Sequence, residues 1–287
     1  MKKNTHSGAI YVFLSAVLFS IGGICIKMVP WNAMAINGAR NLISAGMIGV
    51  YLWKTKHTIV LNAAVLFGAV CMAGTTTLYV LANKMTTAAN AIVLQFTAPV
   101  FVIFLTWLLF RRRPGKLDAA VSVLVLAGIV CFFVDGLSTG NTVGNLLALL
   151  SGVTYAGVFM MNSFEKSDSL SSIFIGQSVC ALTCIGWVFA ETEFTLPVIG
   201  GIVLLGVFQL GLAYLLMAKG LQTTGAVTAC LTSAIEPILN PVLVALFWHE
   251  RITPLACAGA AIVIVSIVGY HLMKSLTEEK QKRSAVQ

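Results

Sequence analysis

Charge is scarce in this chain. Eighteen Lys and Arg with ten Asp and Glu make up 10% of its 287 residues, against about 25% in an ordinary soluble domain. That is too little to cover a water-facing surface, so a soluble enzyme is excluded, and the net charge of +8 is a matter of membrane topology rather than nucleic-acid binding. Catalytic and metal signatures are missing as well. The four histidines sit near the ends of apolar stretches without metal-ligand spacing, and no HExxH, Ser/His pair or His/Asp cluster occurs. No loop is long enough to hold a catalytic domain. The seven cysteines (Cys25, Cys71, Cys131, Cys180, Cys184, Cys230 and Cys257) are odd in number, form no CxxC and all lie in apolar stretches, where they read as small buried hydrophobes. Neither a metal nor a cofactor is expected. A cleavable leader is not expected either, because the apolar run from Gly8 to Val29 is too long for a signal-peptide core.

What the chain does have is apolar length. Hydrophobic residues make up 58%, the mean hydropathy is +0.93, and spanning a bilayer takes about 20 apolar residues. Breaker-rich or polar interruptions divide the sequence into ten candidate spans, roughly 8–29, 33–53, 60–82, 88–110, 117–134, 143–163, 170–190, 197–218, 225–247 and 254–273. Helices satisfy their own backbone in lipid, so the expected fold class is an all-α integral membrane protein of ten transmembrane helices. Alternate loops divide the basic residues unequally. Fourteen are assigned to one side, in the loops holding Lys54, Arg111–Arg113, Lys166 and Arg251 and at both termini, and three to the other, namely Lys27, Lys84 and Lys219. Arg40 lies within the second span. This asymmetry places both termini in the cytoplasm, and the charged residues 274–287 read as a disordered cytoplasmic tail. Short loops and a short basic start suit a bacterial inner membrane.

The two halves echo each other. Leu14–Phe19 matches Leu150–Tyr155 at an offset of 136, Tyr79 and Lys84 match Tyr214 and Lys219 at 135, Thr86-Thr87 matches Thr223-Thr224 at 137, and Pro99 matches Pro237 at 138. The expected units are 1–137 and 138–273. Each holds five spans, an odd number, so the second enters the membrane from the opposite side. Such an inverted repeat lets a transporter present one site to each face in turn.

Those residues also carry a family likeness. Lys27, Arg40, Tyr79 through Thr87 ahead of Pro99, Tyr214 through Lys219, Glu236-Pro237 and Trp248 through Ile252 occur in an order and spacing that resembles the drug/metabolite transporter superfamily in its ten-helix EamA-type branch, over about residues 7 to 273. One departure stands out: where the family often ends its fourth helix with Gly-Glu-Arg, this chain reads Phe110-Arg111-Arg112-Arg113. The resemblance implies secondary transport of a small metabolite, commonly export of amino acids or related compounds. It also implies a central cavity lined by the first, third, fourth, sixth, eighth and ninth helices, with the fifth and tenth more peripheral.

Charge inside a bilayer is costly, about 2.5–3.5 kcal/mol per group on insertion scales. Glu236 is the one acidic residue deep within a span, twelfth of 23, and is followed by Pro237. Proline lacks an N–H donor, so Pro237 leaves the carbonyl of Ser233 unpaired, and Pro99 does the same to Gln95. A titratable carboxyl between broken helices is the best sequence pointer to a midplane site. Glu236 has two open roles, a proton carrier or substrate contact, and a structural residue that holds the broken helix in place. Arg40 either snorkels outward on its long stem or turns inward toward Glu236 or a substrate carboxylate. Lys27, Lys84 and Lys219 are either an outer positive vestibule or snorkelling span ends. Tyr79, Gln95, Tyr155, Gln209 and Tyr214, with Arg40, are the substrate-binding candidates. Asn162, Gln177 and Asn240 are further polar residues that serve equally well as helix-to-helix hydrogen bonds. Glycines such as Gly22-Gly23 and the Gly74–Thr77 run read as points of close helix approach or hinges.

The leading expectation is therefore an exporter of a small metabolite, working by alternating access and linked to protons or another gradient, for which a monomer is sufficient. An uptake permease or exchanger of the same fold is the nearest alternative. A non-transporting membrane scaffold or receptor is an alternative of a different class.

Overall fold

The computed structural model describes residues 5–22, 25–26, 29–86, 88–111, 113, 115–134, 141–239, 242–243 and 253–284. Lys27, Asn240, Pro241 and the His249-Glu250-Arg251 run lie outside the described residues. The chain folds as α1 (Thr5–Phe19), α2 (Ala33–Lys54), α3 (Ala63–Met85), α4 (Ala88–Gln95), α5 (Ala98–Phe110), α6 (Lys116–Phe133), α7 (Thr142–Phe159), α8 (Ser169–Phe189), α9 (Leu196–Leu204), a π-helical turn α10 (Leu205–Leu212), α11 (Ala213–Leu221), α12 (Ala226–Ser233) and α13 (Pro254–Ser284). Several helix starts are set by side-chain caps. Asn32 accepts from the Met34 amide at 2.8 Å, Asn62 from Val65 at 2.9 Å, Asn141 from Val143 at 2.8 Å and Asp168 from Ser171 at 3.0 Å.

Seven stretches among the described residues are long and apolar enough to cross a membrane, including α4 with α5 and α9 through α11 as single columns. Ser7–Phe19 and Ala226–Leu239 are shorter apolar helices. The tenth column is α2, which buries Asn37, Arg40 and Asn41 within its length and is less apolar for that reason. The outward faces are hydrocarbon-compatible: Val70, Leu182, Leu196 and Val265 are all well exposed.

Loop contacts follow the alternation. On one side, the α1–α2 connection meets the segment before α9, where Trp31 Nε1 donates to the Glu193 carbonyl at 2.8 Å and the Asn32 amide to Glu191 at 2.7 Å. On the other side, the α2–α3 loop meets the α7–α8 loop. There the Asn62 side chain donates to the Lys166 carbonyl at 2.8 Å and His57 Nε2 lies 2.8 Å from Asp168 Oδ2.

The same geometry corrects one assignment. Lys219 Nζ sits 5.6 Å from the centre of the Tyr51 ring, at the Lys54 end of α2, so it belongs with the fourteen basic residues and not with the three. Strict alternation over ten spans moves Arg251 the other way, and the asymmetry is unchanged. Repeat-related Lys84 and Lys219 thus stand at opposite faces, as inversion requires. An outer vestibule built of Lys27, Lys84 and Lys219 is excluded. The final helix also differs from expectation. It continues to Ser284, so residues 274–284 are helical rather than disordered, because neither proline nor glycine interrupts them.

α6 and α13, the fifth and tenth columns, pack against each other at the periphery through small residues. A Cβ added at Gly259 would fall 2.6 Å from the Gly128 carbonyl oxygen and 2.5 Å from the Phe132 nitrogen. Such close approach substitutes for a hydrophobic driving force that lipid does not supply.

Asp168 ties the Lys54-side loops together. Burial raises its pKa, but hydrogen bonds from the Ser171 hydroxyl and amide and from His57 outweigh that and leave it below the ordinary value of 3.8. A depressed carboxylate pKa contributes stability that is present above the unfolded-state value and disappears as pH falls through the folded one. Asp168→Asn is therefore expected to lower the thermal midpoint of the detergent-solubilised protein at pH 6, with wild type and variant converging below about pH 4. A constant difference across that range would contradict the assignment.

Candidate functional site

Both halves interrupt their fourth helix at the same place. In the first, α4 ends at Gln95, Phe96 and Thr97 form a turn, and α5 starts with Pro99 in its first turn. In the second, α12 ends at Ser233, Ala234 and Ile235 form the turn, and helix resumes at Glu236-Pro237. The two turns are 138 residues apart, the offset of the two prolines. In each, a short i→i+3 bond closes the turn, Thr97 N to the Leu94 carbonyl at 3.3 Å and Ala234 N to the Leu231 carbonyl at 3.2 Å.

The broken helices meet at a central cavity of about 40 Å³. Its wall is built by Phe19 of α1, Arg40 of α2, Thr75, Thr76 and Tyr79 of α3, Gln95 at the end of α4, Tyr155 of α7, Gln209 and Leu210 of α10, Tyr214 of α11 and Glu236. All six substrate-binding candidates and Glu236 are thus brought to one place, while Pro99 and Pro237 act from behind it as the helix breakers. Six of the seven columns involved are those the resemblance implied, and Arg40 adds the second. One water needs roughly 10–15 Å³ of such space, so the cavity has room for a few waters and no metabolite.

The Glu236 end is aromatic and hydroxylic. Tyr155 OH donates to Glu236 Oε2 at 3.3 Å and lies 3.4 Å from Ser233 Oγ. Its ring packs edge-on against Phe96 and beside Phe159, at centroid distances of 6.0 and 4.6 Å. Tyr214 is held edge-on by Phe19 at 4.8 Å.

Arg40 turns inward instead of snorkelling, with 2% of its surface exposed. Its Nη2 donates to Asn37 Oδ1 and to the Thr76 carbonyl, each at 3.3 Å. Asn37 in turn is fixed by Asn41, whose Nδ2 donates to the Asn37 carbonyl at 2.7 Å, and by its own bond to Thr77 Oγ1 at 3.1 Å. Arg40 and Glu236 form no ion pair. His57 with Asp168 is the one such pair among the described residues.

Other polar candidates prove to be helix connectors. Gln177 Oε1 accepts from Ser44 at 2.6 Å, joining α8 to α2, and the Asn162 side chain donates to Ser169 Oγ at 3.3 Å. Thr75 and Thr76 read in the sequence as small residues of a close-approach run, yet they lie four and three residues before Tyr79, the spacing that shares a helix face. Leu210 and Phe19 carry no polar signal.

The π-helical turn explains why Gln209 and Tyr214 face the same space although five residues separate them. Its i→i+5 bonding widens that part of the column. Gly22 is the counterpart that admits Gln209, because a Cβ there would lie 3.2 Å from Gln209 Nε2.

Comparison with known proteins agrees with this architecture. The model of the EamA-like transporter family matches residues 6–134 and 142–271, one copy in each half. Uncharacterized transporter YwfM of Bacillus subtilis is 28% identical over 98% of this chain and 97% of its own length. Human solute carrier family 35 member G1 is 24% identical, covering 93% of this chain and 79% of its own. A solved crystal structure superimposes with a TM-score of 0.80 over 94% of this chain and 99% of that one at 15% identity, a likeness of fold.

The first break depends on Gly152. A Cβ at that position of α7 would stand 2.8 Å from the Gln95 carbonyl oxygen and 3.1 Å from that of Leu94, and neither is a side chain that can swing away. Gly152→Ala is expected to destabilise the protein by about 1–3 kcal/mol, the range of overpacking. Gly46→Ala, with nothing within 4 Å, is expected to be neutral or to gain up to about 1 kcal/mol from helix propensity. Thermal unfolding in detergent compares the two.

Proposed function

Because the chain belongs to the EamA-like transporter family, we propose that this multi-pass membrane transporter is a secondary transporter that exports a small metabolite, an amino acid or related compound, by alternating access between its two inverted halves. One observation carries the reading: a buried cation and a partly buried carboxyl line one cavity where the broken helices of the two halves meet. Solute cannot reach a space of about 40 Å³ without helix movement, and an inverted repeat supplies two related ways of opening it, one toward each face. One chain encloses the cavity, so a monomer suffices. The excess of basic residues on the Lys54 side supports cytoplasmic termini in a bacterial inner membrane.

Glu236 is the coupling group in this reading. It sits against Tyr155 within the cavity, and its carboxyl is the one titratable acid among the wall residues. Proton and solute occupy this end in turn: a proton arriving from outside releases the solute's donor group, and loss of that proton inward restores the acceptor.

The test is flux in proteoliposomes loaded with mixed amino acids, with and without an imposed pH gradient. Wild type is expected to give saturable flux that rises with the gradient. In Glu236→Gln the gradient-driven part is expected to fall roughly tenfold or more, the loss of a typical coupling energy between two sites. Equal gradient dependence in both proteins would remove Glu236 from coupling and leave it as a helix-packing residue.

A further inference from the structure

Away from the central cavity, α5 carries an open groove of about 540 Å³ lined by Val100, Ile103, Phe104, Trp107 and Arg113. The four apolar positions fall at i, i+3, i+4 and i+7, one face of a helix. Val100, Phe104 and Trp107 are exposed over 44%, 49% and 51% of their surface, and the Phe104 and Trp107 rings lie 6.2 Å apart. A helix rises 1.5 Å per residue, so this strip runs roughly 10 Å along α5. It leads toward the Lys54 side. There the Phe110 ring lies 5.1 Å from that of Phe164, in the loop whose Lys166 carbonyl accepts from Asn62.

The helix ends at Phe110, and Arg111 takes a left-handed φ of 51°. Beyond that turn Arg113 borders the same groove as Val100 and Trp107. An arginine that serves topology alone extends its head into water, whereas this one closes the end of an apolar strip. Arg111 and Arg113 are both exposed, and neither forms an ion pair among the described residues. The two halves differ here in sequence. At the offset of 138, Phe110-Arg111-Arg112-Arg113 aligns with Trp248-His249-Glu250-Arg251. Inversion places the second run at the opposite face, so the concentration of arginine marks one leaflet.

We infer that this groove binds one anionic phospholipid of the leaflet on the Lys54 side, with its phosphate on Arg113 and Arg111 and an acyl chain along Trp107 and Phe104 toward Val100. A guanidinium pairs its planar fork with two phosphate oxygens, and a tryptophan at a span end sits at headgroup depth. Charge selects the occupant. A second copy docked through the same face would bring two arginine-rich ends together, and like charges so placed oppose association. A zwitterionic lipid would set its own ammonium in the field of the arginines. The inference concerns the lipid-facing side of α5 and does not depend on which solute is carried.

Trp107 is itself the reporter. In full-length protein with Trp31, Trp53, Trp187 and Trp248 replaced by Phe, Trp107 fluorescence is followed in phosphatidylcholine vesicles doped with brominated phosphatidylglycerol or brominated phosphatidylcholine, since bromine quenches on contact. Phosphatidylglycerol is expected to be favoured by about tenfold or more, each basic residue near an anionic lipid contributing about fivefold. Arg111→Gln and Arg113→Gln are each expected to lower that preference about fivefold. Lys54→Gln removes equal charge from the same side without touching the groove, and is expected to leave it unchanged. Equal quenching by both lipids, or a preference lowered as much by Lys54→Gln as by Arg113→Gln, would overturn the inference. Millimolar glycerol 3-phosphate that relieves the quenching would show a site for a free phosphate and not a lipid. Weak quenching by either lipid, with cross-links between copies through α5, would show a second copy in the groove. Native mass spectrometry of the protein with all its tryptophans gives an independent reading if the replaced chain does not fold. Retention of phosphatidylglycerol over phosphatidylcholine, lost in Arg111→Gln/Arg113→Gln, is expected, and equal retention in both proteins would contradict it.

Discussion

In hydrocarbon every peptide N–H and C=O must be paired, because no water is there to replace a missing bond. This structure departs from continuous helix at equivalent points of its two halves, Gln95 to Pro99 and Ser233 to Pro237, and the rest of the centre is arranged around those departures. Carbonyls freed by the prolines cannot face lipid, so the breaks are turned inward and other columns close around them. Gly152 brings α7 directly onto the Gln95 carbonyl. Gly22 and the π turn admit Gln209 from the other side. The cavity is the space that results, and its polar wall is what makes interrupted helices tolerable at that depth.

The same constraint ties symmetry to function. A break in one half would make a static pocket with one route of access. In the proposed reading, two breaks related by inversion let the pocket open toward either face by equivalent helix movements. α6 and α13, locked at Gly128 and Gly259, contribute nothing to the wall and form a peripheral pair against which the inner columns can move. The proposed exchange involves movement, because a space of about 40 Å³ holds a few waters.

Much of this is legible in the sequence, and the parts that are not have physical reasons. The scarcity of charge and the apolar runs give away the membrane, and the offsets of Pro99 with Pro237 and Tyr79 with Tyr214 disclose the repeat. Glu236 stands out because a carboxylate at mid-span is costly. Arg40 is ambiguous, since a residue near a span end can reach water or turn inward with the same spacing; the bonds to Asn37 and Thr76 decide it. Thr75 and Thr76 lie in plain view at helical spacing from Tyr79 but read as packing residues. The π turn is illegible, because one residue more per turn leaves no mark on composition. Lys219 follows the eighth span, where alternation already puts it with the termini, and its contact with Tyr51 agrees; its assignment to the other face is a miscount that the preserved asymmetry conceals.

The central claim is that one site, at the junction of the two breaks, is reached alternately from both sides. Gln95→Cys, in a chain whose seven native cysteines are replaced, puts a reactive thiol on the cavity wall. The most direct measurement is its modification in proteoliposomes by a membrane-impermeant cationic thiol reagent, applied to each face separately. Alternating access predicts labelling from both faces, with reactivity at one face rising as conditions that favour it lower reactivity at the other. Labelling from one face alone, unchanged by any gradient or solute, would contradict it and describe a static pocket.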